Sequence, residues 1–385
     1  MRTLVISELF PPRVGGTPTW FHEVYRRYPP GEVVVLTHSE PGDEVIDARL
    51  PYPVRRVPMS MADWGFLSPA SARHYLRLVR VARQLCRHHA ITNVHCGRVM
   101  PEGVVGYLLR RLARIPYCVY AHGEEIGTAR SSRQLTFLMR RVYGGARVVI
   151  ANSESTRRLL LAVGVPAARI SIIHPGVDSD RFCPAGDSAR THEGLELNGQ
   201  RVLLTVARLQ RRKGHDTVIS ALPAVRSAIP HLRYLIVGAG EEEARLRDLA
   251  ERAGVVDFVE FAGRVSDDRL PAYYQACDVF VLPNREEANR DIEGFGIAFL
   301  EASATGKPVI AGRSGGTCEA VVDGETGLLV DGEDPPAVAR AILSVLSDPD
   351  RSRRMGERGR ARAAERFSWD AIARQTRGLP LEPGP

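Results

Sequence analysis

Residues 291–319 read DIEGFGIAFLEASATGKPVIAGRSGGTCE. Two carboxylates, Glu293 and Glu301, stand on either side of a seven-residue span, and Gly294-Phe295-Gly296 follows the first. Ile297, Ala298, Phe299, Leu300, Ala302 and Ala304 make a helix with an apolar face. Gly306 and Pro308 stop it. Glu293 is therefore expected on a loop before a helix N-terminus, and Glu301 inside the helix. Gly294 and Gly296 let a ligand approach backbone N–H groups, where the helix dipole favours an anion. The pattern suits a phosphate with a hydroxyl-rich group on either side, each taken by a carboxylate.

The rest of the chain places this segment in an α/β protein of two domains. Strands are expected near 2–7, 32–37, 54–57, 91–95, 116–121, 146–151 and 170–173. A second set is expected near 202–207, 233–237, 257–261, 278–282 and 308–311. Helical patterns lie between them, which implies parallel sheets with right-handed crossovers. The polar, aperiodic stretch from 183 to 200 reads as a linker. The expected domains are thus 1–182 and 201–368: two doubly wound units with a cleft between them and ligands at the carboxyl ends of the strands.

The 385 residues are 44% apolar and 25% charged, as in a soluble globular enzyme. No run approaches the roughly 20 apolar residues that span a bilayer. MRTLVISELF reads as a first strand and not as a signal peptide. The six cysteines are scattered without a C-x-x-C pair, against a zinc site or a disulfide framework. A cytoplasmic location is expected. Residues 1–180 hold 24 arginines, no lysine and 14 acidic residues, a net of +10. That half should meet an anionic partner such as a membrane surface or an acidic acceptor. Arg73, Arg77, Arg80, Arg83 and Arg87 recur at helical spacing within 71–89, with Leu76 and Val79 available to pack beneath. Trp64, Phe66 and Leu67 make an apolar loop just before. Together they suit docking on anionic lipid.

Other positions carry binding chemistry. Arg208 ends a strand and Lys213 follows five residues later, a pair of cations suited to a diphosphate. Arg211 and Arg212, between them, read as part of a solvated basic run. Gly15 and Gly16 lie just before a helix that Thr17 would cap and Pro18 would begin. His122 follows the strand PYCVYA and opens HGEE. GAGEEEA at 238–244 imitates a dinucleotide fingerprint but has Glu243 in place of the third glycine. Asp178-Ser179-Asp180 has a D-x-D form but falls in a connection between domains. Lys307, between Gly306 and Pro308, reads as a turn residue rather than a pyridoxal phosphate carrier.

The segment E-G-F-G-x-x-x-L-E-A-x-A-x-G-x-P-V-I-A followed by S-G-G-x-x-E resembles the donor site of retaining glycosyltransferases of family 4, and the resemblance extends over nearly the whole chain. It implies the GT-B fold, two Rossmann-like domains facing each other across a cleft, with the last helix, about 369–385, packing back on the first domain. It implies a nucleoside diphosphate sugar as co-substrate, with neither cofactor nor metal. In this reading Arg208 and Lys213 hold the diphosphate. Glu293 contacts hydroxyls of the transferred sugar, and Glu301 takes the ribose. Gly294, Phe295, Gly296 and Ile297 offer backbone N–H groups, and Val265 lies under the base. Gly15 and Gly16 lie near the donor phosphate, and His122 lies near the sugar. The DIEGFG form is most similar to phosphatidylinositol mannosyltransferases, which favours GDP-mannose; the acceptor hydroxyl is expected on a lipid or polysaccharide precursor, and docking of the basic helix at the inner face of a membrane would favour a lipid-linked one. UDP-glucose or UDP-N-acetylglucosamine with a soluble acceptor, and a catalytically silent sugar-nucleotide-binding protein, are the rival readings. Nucleic acid is not among the expected partners.

Overall fold

A computed structural model describes all residues except 62–63, 66–67, 131, 186–198, 288–292 and 382–385. The chain divides into two compact units. One runs from Met1 to Pro175 and takes in the C-terminal segment from Trp369; the other is Gly176–Ser368. The division precedes the expected break at 183, because Val177 and Phe182 are buried in the core of the second unit. Most of the 183–200 stretch lies outside the described residues.

The first unit carries seven strands: β1 (Thr3–Ser7), β2 (Val33–His38), β3 (Val54–Val57), β4 (Asn93–Cys96), β5 (Tyr117–Ala121), β6 (Val148–Ala151) and β7 (Ile170–Ile172). Their spatial order is β3-β2-β1-β4-β5-β6-β7, with every pairing parallel. A parallel sheet is covered on both faces, so its strands must be apolar throughout, and β1, β5 and β6 are buried at every residue. The C-terminal helix Trp369–Arg377 belongs to this unit. It buries Trp369, Ile372, Ala373 and Thr376 and is pinned by ion pairs of Arg27 with Asp370 at 2.6 Å and of Arg377 with Glu32 at 2.9 Å.

The second unit has six strands: β8 (Arg201–Val206), β9 (Leu232–Val237), β10 (Val259–Gly263), β11 (Val279–Leu282), β12 (Val309–Gly312) and β13 (Gly327–Val330). They are ordered β10-β9-β8-β11-β12-β13, again all parallel. The edge strand β13 was not among the expected strands. Its four residues, GLLV, are too short to show a period. In each sheet the order reverses beside the first strand, the place where doubly wound sheets open to ligands. Among the described residues, no helix is long and apolar enough to cross a membrane.

The helix Pro69–His88 is capped by Ser68, whose hydroxyl accepts from the Ser71 N–H at 3.0 Å. It buries Tyr75, Leu78, Val79, Ala82 and Cys86, and leaves the five spaced arginines exposed. Val79 packs beneath as expected, but Leu76 does not: it stands 54% exposed among the arginines. Trp64 is half-buried with Arg98 over its ring at 5.4 Å, so it is no free apolar tip, and Phe66 and Leu67 lie outside the described residues.

Candidate active site

The second unit gathers most of the expected donor residues at the carboxyl ends of its strands. After β8 the chain passes Arg208 and makes a single 3-10 turn, Arg211–Lys213. Gly214 follows in the left-handed region at φ +73°, and any side chain there would strike the Pro283 carbonyl after β11. This locks the turn against the strand end. Lys213 Nζ donates to Glu293 Oε2, and Arg212 Nη1 reaches the same oxygen at 3.3 Å. Arg212 is buried, contrary to its reading as a solvated surface residue, because its guanidinium turns inward to this carboxylate. Arg208 is exposed, and its charge acts on both Lys213 and Glu293.

Three cations thus surround one carboxylate. Burial alone would push Glu293 up, but Lys213, Arg212 and Arg208 together hold it below the usual carboxylate range. Burial pulls the Lys213 ammonium below its usual value, with Glu293 opposing. The excess positive charge makes the place fit for an anion.

The backbone of Glu293 is fixed by the Ser-Gly-Gly turn. Gly316 N–H donates to the Glu293 carbonyl at 3.0 Å. Gly315, at φ +59°, lies so close that a side chain would collide with that carbonyl. Phe295 is buried against Phe367, with ring centroids 5.6 Å apart. Gly296 is the N-cap of the helix Ile297–Ala304, and Gly294 and Ile297 flank the same loop. Asp291, part of the sequence signature, lies outside the described residues.

Glu301 projects from that helix into a different environment. Tyr274 Oη donates to its Oε2 at 2.6 Å. Burial pushes the carboxyl up to about 7, against this hydrogen bond and the charge of Arg181. Val265, beyond the end of β10, packs partly buried on the same core.

The remaining expected residues lie in the first unit. His122 follows β5, and its Nε2 lies 3.0 Å from the Gly97 carbonyl. A carbonyl only accepts, so Nε2 is the donor in this contact. The ring packs edge-on against Trp20 at 5.7 Å and Phe21 at 6.2 Å. Both aromatics stand on the helix Gly16–Tyr25, so Gly15, Gly16 and His122 are parts of one packed arrangement. The helix begins two residues earlier than expected. Gly15 is its N-cap, and Thr17 makes no cap because it already lies inside the first turn.

Several lesser motifs have structural uses. A side chain at Gly238 or Gly240 would collide with the backbone of Ala207 or Leu209, so the GAG run lets the β9 loop close on the Arg208 segment. Asp178 accepts the N–H groups of Asp180 and Arg181 within its own turn. Lys307 Nζ donates to the Gln275 carbonyl at 2.8 Å. The Glu319 carbonyl accepts from Arg362 at 2.6 Å. Among the described residues, no three of His, Cys, Asp and Glu are grouped to hold a metal ion.

Comparison with known proteins fixes the family. Residues 14–181 match the model described as Glycosyltransferase Family 4, and 187–362 match that of Glycosyl transferases group 1. The chain is 36% identical over 98% of its length to a Mycolicibacterium smegmatis protein, which is covered to 96%. The chain belongs to glycosyltransferase family 4. That M. smegmatis relative is a GDP-mannose-dependent alpha-(1-6)-phosphatidylinositol monomannoside mannosyltransferase. A Corynebacterium glutamicum relative, 32% identical over 99% of this glycosyltransferase and 98% of its own length, carries the corresponding name for a monoacylated acceptor. Among solved structures, Anabaena HepE in complex with UDP and glucose superposes with a TM-score of 0.82 at 22% identity, covering 98% of both chains. A Thermosynechococcus elongatus sucrose-phosphate synthase gives 0.81 at 26% identity, again over 98% of both. These neighbours share the GT-B fold of this glycosyltransferase.

Proposed function

We propose that this glycosyltransferase moves a hexose, mannose from GDP-mannose, to a hydroxyl of an inositol-lipid acceptor, with retention at the anomeric carbon and without a divalent metal. The observation that carries the reading is the convergence of Lys213 and Arg212 on Glu293, beside Arg208 and a glycine loop that opens a helix. The names of the relatives supply the donor and the acceptor class.

In this reading Arg208 and Lys213 grip the diphosphate, and the loop N–H groups from Gly294 to Ile297 complete the cradle. Glu301 accepts from the ribose hydroxyls, and Val265 lies under the base. Glu293 accepts from hydroxyls of the sugar. The bond from C1 to the phosphate oxygen breaks as the acceptor oxygen bonds C1 on the same face, and the acceptor proton passes to the departing phosphate. Glu293 is a poor covalent nucleophile while two cations hold its oxygen. The protein's contribution is electrostatic: fixed cations stabilise the charge that grows on the diphosphate. In this reading the same cations offset the diphosphate charge that a metal would otherwise offset.

The test is transfer from GDP-mannose to phosphatidylinositol mannosides, with UDP-glucose and UDP-N-acetylglucosamine as competing donors and with EDTA in a parallel arm. A mannosylated lipid of retained configuration, formed equally in EDTA, is expected. Rescue of an EDTA-dead enzyme by magnesium refutes the metal-free reading. Donor binding without transfer or hydrolysis favours a silent binding protein.

The basic helix Pro69–His88 supports docking of the first unit on anionic lipid, at about 1 kcal/mol per basic residue near the surface. Binding to anionic but not zwitterionic vesicles in co-sedimentation, weakened by salt and by Arg77, Arg80 and Arg83 to Gln, is expected. Absence of binding at low salt favours a soluble acceptor.

A further inference from the structure

We propose that Arg212 is the positioning residue that holds Glu293 in place once a bound diphosphate draws Lys213 away. The inference rests on the reading that Lys213 grips the donor. Lys213 and Arg212 share a single oxygen of Glu293. The two cations differ in freedom. Both side chains are largely buried, but Lys213 carries a compact ammonium on a flexible stem and can turn to a phosphate, whereas the planar Arg212 guanidinium must move as a rigid fork.

The backbone of Arg212 is anchored as well. Its carbonyl accepts the Arg285 N–H at 2.9 Å. The Arg285 guanidinium makes a two-pronged contact with Asp216, at 2.9 and 3.0 Å, and Arg245 reaches the same carboxylate at 3.1 Å. Glu293 is itself fixed at its carbonyl by Gly316. When the diphosphate takes the ammonium, Arg212 becomes the remaining direct partner, among the described residues, of a buried carboxylate. Removing that partner leaves the charge uncompensated, and the side chain then takes up a proton or swings off the sugar hydroxyls. The arrangement lets one lysine serve two anions in turn without the carboxylate losing its aim.

The test compares Arg212→Gln, Arg212→Lys, Asp216→Asn and Lys213→Ala. Free GDP affinity is read by isothermal titration, and kcat, KM and the pH profile of kcat are read with GDP-mannose. Among the described residues, the charged groups that act most on Glu293 are Lys213, Arg212 and Arg208. Arg212→Gln should bind free GDP within about threefold of wild type and lose about 10- to 150-fold in kcat. The acid limb of its kcat profile should move to higher pH, since a lost cation raises the carboxylate's pKa. Arg212→Lys should regain part of kcat and restore the limb. Asp216→Asn, which keeps Arg212 but loosens its anchor, should lower kcat in smaller measure at unchanged GDP affinity, and it serves if Arg212→Gln fails to fold. Wild-type kcat and an unmoved acid limb in Arg212→Gln overturn the proposal, as does a loss of GDP affinity equal to that of Lys213→Ala. A Lys213→Ala enzyme with normal donor affinity and activity overturns the donor reading itself, and this inference with it.

Discussion

Glu293 and Glu301 come from one short segment and end in opposite surroundings. Glu293 meets two basic side chains and is held below the usual carboxylate range. Glu301 meets a phenol, with one arginine acting on its charge, and is pushed up to about 7. The same side chain is held below its ordinary range in one place and pushed above it in the other. The difference follows from neighbours far apart in the chain: Arg212 and Lys213 stand some 80 residues before Glu293, and Tyr274 stands 27 before Glu301. In the proposed function both accept from hydroxyls, the first from those of the sugar while held by cations and the second from those of the ribose.

The comparison breaks most visibly at Lys213. Loss of one charged partner of an enclosed phosphate costs about 1.5–3 kcal/mol, so Lys213→Ala should fold normally and lose about 10- to 150-fold in kcat/KM. Near-normal turnover with every donor accepted would show that the cation cluster serves Glu293 alone.

The division of labour between the carboxylates is sharpened by alanine at each. Glu301→Ala should weaken binding of free GDP and of GDP-mannose alike, by about tenfold for a lost charged hydrogen bond. Glu293→Ala should leave free GDP binding within about threefold and damage transfer. Isothermal titration of both variants decides, and equal losses would erase the distinction.

The smallest expected effect is a dependence on pH that belongs to Glu301 alone. Ribose hydroxyls donate to the ionised form, so GDP affinity should rise as pH passes upward through about 7 and flatten in Glu301→Gln. Stability should run the other way. The folded carboxyl takes its proton at higher pH than the unfolded one, so its contribution is fully present below the ordinary value of 4.5 and is lost as pH rises through about 7. Glu301→Gln should therefore be the more stable protein at pH 8, by roughly 1–3 kcal/mol in denaturant melts. A wild type as stable as the variant at pH 8 contradicts the raised carboxyl.

Much of this was written in local pattern. Runs such as TLVIS and YCVYA are apolar throughout because both faces of a parallel sheet are covered, and they marked their strands directly. Gly296, followed by an apolar helix and stopped at Gly306, marked the loop and helix that carry the two carboxylates. Arg212 was misread because a basic run of three looks solvated from any one end. Its burial depends on a carboxylate 81 residues away. The edge strand β13 was missed because four residues show no period, and only pairing with β12 makes them a strand.

The chain by itself determined the alternation of strands and helices, the glycines that let backbones meet, and the family signature. These are local properties, set by side-chain period and steric freedom over a few residues. Only the tertiary structure decided which cation turns inward, which carboxylate is paired with charge, and which can gain a proton at neutral pH. Those outcomes depend on burial and on distances between segments far apart in sequence, and charge energies change steeply with both.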